Sequence, residues 1–209
     1  LQGRDHVNAA IDAADVIISV GYDLVEFSPE AWNKHGGKKI IHIDFWPAEI
    51  DDAYPVDVEI VADVADALWQ LNEEINKRYE HKMPIFDIKK RAPLRKRILD
   101  DFAMEKNSKA FPMKPQKILW DVREFLGPQD ILLSDVGAHK MWIARYFQCE
   151  DPNTCLISNG FCTMGIALPG AIGAKIVHPE KKVLAMCGDG GFMMNVQEME
   201  TAARLGINI

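Results

Sequence analysis

Residues Lys181–Asn195 read KKVLAMCGDGGFMMN. A short apolar run ends abruptly in Gly188-Asp189-Gly190-Gly191, and an amphipathic stretch follows. A buried strand that empties into glycines ahead of a helix is the pattern of an open α/β sheet, in which ligands bind beyond the carboxyl ends of the strands. Glycines allow close backbone approach, so their N–H groups can point at phosphate oxygens. A carboxylate in that cluster would repel a phosphate unless a cation lay between them. Asp189 is therefore a candidate ligand for Mg²⁺, which takes hard oxygen donors and shares them with phosphates. Read alone, Gly-Asp-Gly is equally a tight turn with an exposed Asp.

The same alternation runs through the chain. Asp15–Gly21 (DVIISVG) and Lys39–Phe45 (KIIHIDF) are β-branched runs expected to form parallel strands buried on both faces. Pro29 suits the first turn of a short helix between them. Val56–Asp63 (VDVEIVAD) supplies a third strand, and Asp63 stands where an N-cap belongs, before Val64, Leu68, Leu71 and Ile75 at helical spacing. From Gln116 onward, Ile118, Leu119, Val122, Phe125 and Leu126 make a helical face. Strands follow at Asp130–Ser134, Cys155–Ser158 and Lys182–Cys187, and helices at His139–Phe147, Ile166–Val177 and Asn195–Leu205. The expected fold class is α/β, three layers in each unit, with helices on parallel sheets. Residues 1–80 read as part of a Rossmann-like domain, 81–115 as a linker, and 116–209 as part of a second α/β domain.

Composition narrows the function. The 209 residues are 48% hydrophobic and carry a formal net charge of −7, which argues against nucleic acid as the main partner. Lys89-Lys90-Arg91 and Arg95-Lys96-Arg97 flank Pro93 and read as a solvated connecting helix. Cys149, Cys155, Cys162 and Cys187 lack paired metal-ligand spacing, so reduced thiols in a cytoplasmic protein are expected. No run approaches the roughly 18 apolar residues of a membrane span. The opening LQGRDHVNAAID reads as the middle of a helix and the closing LGINI as the start of a strand, so both ends read as cuts through a longer protein.

Two further stretches, ISNGFCTMGIALPGAIGAK (Ile157–Lys175) and DVGAHKMWIARYF (Asp135–Phe147), extend the pattern. Together with GDGGFMMNVQEMETA they resemble the diphosphate-binding domain of thiamine diphosphate-dependent enzymes, specifically the acetolactate synthase group. GYDLVEFSPEAWN and IIHIDFWPAEID resemble the second part of that family's central domain. The wording of the central stretch, and ISNG ahead of TMG, are closer to the catabolic, flavin-independent synthases, so FAD is not expected and the protein should be colourless.

The resemblance implies thiamine diphosphate and Mg²⁺ as cofactors and two pyruvates condensing to 2-acetolactate with loss of CO₂. It implies Asp189 as a Mg²⁺ ligand, with Gly188, Gly190 and Gly191 opening backbone amides to the diphosphate. Val136, Gly137, Ala138 and His139 match the other phosphate-side loop; His139 equally reads as a residue that starts a helix. In Thr163-Met164-Gly165, Met164 matches the bulky residue wedged between the cofactor's two rings. Without that motif it would read as a core methionine. Cys162 matches the position whose carbonyl accepts from the cofactor's amino group, although biosynthetic synthases carry Gly there; no general base beside it is implied. Gly165, Gly170 and Gly173 are expected to serve helix packing. The resemblance further implies a homodimer or homotetramer, because a Glu from the neighbouring subunit's pyrimidine-binding domain completes the site. No such domain is matched here, so residues 1–209 alone are expected to be inactive.

Two alternatives remain open. One is another thiamine diphosphate-dependent 2-oxo acid decarboxylase or carboligase. The other is a non-catalytic nucleotide-binding module built on Gly21 and Asp44, although no G-x-G-x-x-G follows the first strand.

Overall fold

A computed structural model of the chain describes residues 8–24, 27–34, 36–49, 51–79 and 92–209. The first elements are α1 (Asn8–Asp12), β1 (Val16–Val20), a single 3-10 turn at Pro29–Ala31, β2 (Lys39–Asp44), β3 (Val56–Val61) and α2 (Val64–Tyr79). There follow α3 (Ala92–Met104), α4 (Pro115–Phe125), β4 (Ile131–Ser134), α5 (Ala138–Tyr146) and β5 (Cys155–Ile157). The last are α6 (Ala167–Val177), β6 (Val183–Met186), α7 (Asp189–Met194) and α8 (Glu198–Arg204). The chain divides into two compact units between Arg97 and Ile98, within α3. Among the described residues, no helix is long and apolar enough to cross a membrane.

The first unit is a parallel sheet in the order β1-β2-β3. Its core gathers Trp32, Ile40 and Tyr54, with the Tyr22 and Tyr54 ring centroids 5.3 Å apart. Asp63 caps α2 as the sequence predicts, its Oδ1 accepting the Asp66 amide at 2.9 Å. Burial differs from expectation. Val16, Ile18 and Val20 of β1 are 46, 54 and 41% exposed, and no residue of α2 is buried. Side chains alternate across a strand, so cover on one face leaves every second residue of β1 open.

The second unit is a parallel sheet in the order β5-β4-β6, with Leu132 opposite Cys155 on one side and Leu184 on the other. Central β4 is fully buried. Leu132 packs on one face with Phe102, Leu119, Leu126, Ile143 and Phe147. Ile131 and Leu133 pack on the other with Ala167, Ala171 and Val183. This alternation makes three layers, and burying Leu132 alone contributes about 1.5–3 kcal/mol. Gly170 brings α6 close to β4: a Cβ there would lie 2.8 Å from Leu133 Cδ2. Gly173 has open space around it and so does not serve the packing expected of it.

The stretch after β6 also departs from the sequence reading. A single helix was expected from Asn195; instead the chain turns helical at once, at Asp189, and breaks at Asn195 before α8. The break has a local cause, because the Asn195 side chain leaves the helix to donate from Nδ2 to Gly165 O at 2.9 Å.

Candidate functional site

The segments that follow β4, β5 and β6 converge at the carboxyl ends of the strands, where an open α/β sheet binds its ligands. Asp135 sits at their meeting point and is wholly buried. Its Oδ1 accepts from the amides of Val136 at 2.7 Å and Gly165 at 2.9 Å, and its Oδ2 accepts from Ala167 at 3.3 Å. Ala167 opens α6, whose preceding residue, Ile166, offers no side-chain cap. Asp135 thus serves as a remote cap, a carboxylate at the positive end of a helix. It also lies so near Gly191 that a Cβ there would come within 2.9 Å of Oδ1.

His139 joins two of these segments. It is buried on α5, and a Cβ on Gly137 or Gly188 would come within 2.9 and 3.5 Å of its Cε1. Its Nε2 is buried and has no hydrogen-bond partner. A buried polar atom left unpaired costs about 1–3 kcal/mol, which a ligand accepting or donating there would recover. Gly137, with φ +150°, takes a backbone angle open mainly to glycine. Val136 is half-buried with its amide committed to Asp135, and Ala138 is exposed.

Asp189 is exposed at the start of α7, and its Oδ1 accepts the Gly190 amide at 2.8 Å. Gly188 is the residue before the helix, Gly190 is exposed and Gly191 is buried. Among the described residues, no three His, Cys, Asp or Glu side chains cluster to hold a metal. The donor set is one free-standing carboxylate, which fits a hard cation that draws its other ligands from water and from phosphate, and does not fit an all-protein metal site.

Met164 reaches the same place from the segment after β5. It is 43% exposed, and its Cε lies 3.9 Å from where a Cβ on Gly190 would be. Thr163 beside it is exposed. Cys162 has φ +47°, a left-handed conformation that favours glycine. Lys140 Nζ lies 3.3 Å from Cys162 Sγ, and it also donates to Ser158 O at 3.0 Å.

Two other thiols are electrostatically shifted. Burial, then the carboxylate of Asp135, pushes the Cys187 thiol up. Burial, then the neighbouring Cys149, pushes Cys155 up to about 12. Neither shift favours a nucleophilic thiolate.

Lys140 carries no signal of its own in the sequence; Asp135 reads only as the first residue of a candidate ligand loop that runs to His139, and Asn195 only as the start of a helix. Their partners lie 30 residues away, beyond any periodicity.

Comparison with known proteins agrees with this geometry. The thiamine pyrophosphate enzyme central domain matches residues 1–71, and the thiamine pyrophosphate enzyme C-terminal TPP binding domain matches residues 135–209. The chain belongs to the thiamine pyrophosphate enzyme family. Within it the chain is similar to acetolactate synthases. It is 36% identical over 199 residues to the acetolactate synthase of Bacillus subtilis (strain 168), covering 93% of this chain and 34% of that protein. It is 38% identical over 196 residues to the catabolic acetolactate synthase of Raoultella terrigena, covering 94% of this chain and 34% of that one. The acetolactate synthase isozyme 1 large subunit of Escherichia coli (strain K12) is 32% identical over 220 residues, covering all of this chain and 36% of that subunit. The chain spans about a third of the length of the curated relatives it matches.

Proposed function

We propose that the whole protein containing these residues is an acetolactate synthase, which condenses two pyruvates to 2-acetolactate with loss of CO₂ and uses thiamine diphosphate and Mg²⁺. The observation that supports this reading is the buried His139, whose Cε1–Nδ1 edge lies against Gly137 and Gly188, beside the turn that bears Asp189, and whose Nε2 finds no partner among the described residues. When bound, the cofactor supplies the carbanion chemistry, and the protein orients it. Asp189 would hold the Mg²⁺ and, through it, the diphosphate. His139 Nε2, Gly137, Gly188 and Gly190 would offer the diphosphate a donor and close backbone approach; the buried Gly191 would keep the turn tight. Met164 would fix the bend of the cofactor and the Cys162 carbonyl would accept from its amino group. Val136, Ala138 and Thr163 would line the site. Orientation of this kind is worth up to about 7–11 kcal/mol of barrier.

In the same reading, residues 1–80 belong to the central domain, 81–115 connect, and 116–209 begin the diphosphate-binding domain. The whole protein is a cytoplasmic homodimer or homotetramer without FAD. Asp44 Oδ1 accepts from the amides of Phe45 at 2.6 Å and Trp46 at 3.4 Å, closing its own turn.

Purified full-length protein supplied with pyruvate, thiamine diphosphate and Mg²⁺ should release one CO₂ per acetolactate formed. Turnover of only a different 2-oxo acid would replace the synthase reading with a related decarboxylase or carboligase. The 209-residue polypeptide alone should be inactive and bind thiamine diphosphate weakly by calorimetry; submicromolar binding would contradict that part.

A further inference from the structure

Gly165 is gripped from both sides of its backbone. Its N–H donates to Asp135 Oδ1 at 2.9 Å and its C=O accepts from Asn195 Nδ2 at 2.9 Å. Neither grip is incidental to packing. Gly165 holds φ +85°, and a Cβ on it would sit 2.6 Å from Asn195 Nδ2, so the two residues approach at a distance only glycine permits. Asn195 is itself fixed in orientation, since its Oδ1 accepts from Gln197 Nε2 at 3.3 Å while Nδ2 serves Gly165. Asp135 stands at the end of β4 and Asn195 at the junction of α7 and α8, so the two grips come from two different parts of the unit.

We propose that Asp135 and Asn195 are positioning residues: by clamping Gly165 they set the place of Met164, the preceding residue, against the turn at Gly190. This rests on the functional reading above, in which Met164 touches the cofactor. A side chain as flexible as methionine selects no geometry by itself, because three rotatable bonds let it fill irregular gaps. Its backbone must be held instead. A buried hydrogen bond to a carboxylate and a partly buried one from a carboxamide provide that hold, and they link the segment after β5 to the end of β4 and to the end of α7.

The test uses the full-length protein and three variants, Asn195→Ala, Asn195→Asp and Asp135→Asn. Asn195→Asp keeps the side-chain shape but replaces the donor with a carboxylate oxygen facing the Gly165 carbonyl, and Asn195→Ala removes the donor without adding charge. In cofactor-free protein, amide hydrogen exchange at Gly165 should speed up in all three variants. With cofactor and pyruvate, kcat should fall roughly tenfold to a hundredfold, as for a reacting group displaced by about 1 Å, while KM for pyruvate stays within about twofold. A purely structural role would lower the melting temperature and leave kcat of the folded fraction unchanged; that result overturns the proposal. Unchanged Gly165 exchange in Asn195→Asp overturns it too. Should Asp135→Asn fail to fold, the two Asn195 variants decide alone. Wild-type protein that neither binds thiamine diphosphate nor turns over pyruvate would instead overturn the functional reading, and the exchange measurement would still report on the clamp.

Discussion

The Asp135 carboxylate accepts the Gly165 amide at 2.9 Å, and its Oδ1 lies 2.9 Å from where a Cβ on Gly191 would be. One buried side chain therefore spaces the segment after β5 from the glycine turn after β6. No other residue can take over this task by chance, since Glu is longer by a methylene and Asn would turn one acceptor into a donor facing N–H groups.

Gly191→Ala follows directly. Helical propensity favours Ala over Gly by about 0.5–1 kcal/mol, but overpacking against Asp135 costs about 1–3 kcal/mol. The net effect is a loss of stability, measurable as a lower denaturant midpoint, together with weaker thiamine diphosphate binding. A stabilised variant would show that the turn can move away from Asp135.

His139→Ala removes the unpaired buried Nε2. A hydrogen bond to a charged group is worth about 1.5–3 kcal/mol, so the affinity of the full-length protein for thiamine diphosphate should fall roughly tenfold or more. Calorimetry measures this. Affinity equal to wild type would assign His139 to packing alone.

Asp189→Asn tests the cation. Asp189 is exposed and, among the described residues, bonds to the adjacent amide, so the change should alter stability by less than about 0.5 kcal/mol. Yet the Mg²⁺ concentration that half-saturates cofactor binding should rise about tenfold or more, the equivalent of 1.4 kcal/mol. Chelation of Mg²⁺ from wild-type protein should give the same loss, and addition of Mg²⁺ should reverse it.

Cys155 should stay unmodified by iodoacetamide at pH 8 while the exposed Cys149 reacts, and mass spectrometry resolves the two sites. Burial, then Cys149, raises the Cys155 thiol from the ordinary 9.0 to about 12. The folded state therefore keeps this proton between those values while the unfolded chain releases it. The stabilisation is full below pH 9 and is lost as pH rises toward 12. A melting temperature flat across that range would contradict the shift.

Much of the fold was legible because it is short-range. Apolar runs of four to six residues gave the strands, and Asp63 gave its cap. Position at a strand end, ahead of a helix, marks Asp189 and the glycines around it as the candidate ligand turn proposed above. Less legible was which strand faces would be covered: β1 has the composition of a doubly buried strand, but Val16, Ile18 and Val20 are exposed. Composition records that a residue is apolar and says nothing about what lies over it. Cys162 was not legible either, since a cysteine gives no sign of φ +47° by itself.

The sequence by itself determined the order of strands and helices, the chemistry available at each strand end and the family to which that chemistry belongs. These depend on residues close together in the chain, where periodicity, caps and glycines act. Only the tertiary structure decided that Asp135 turns inward as a support, that Asn195 ends a helix to hold Gly165, and that the His139 Nε2 is left buried without a partner. Those outcomes depend on which groups meet after the sheet has brought segments 30 or more residues apart to one edge, and on which polar atoms find partners there.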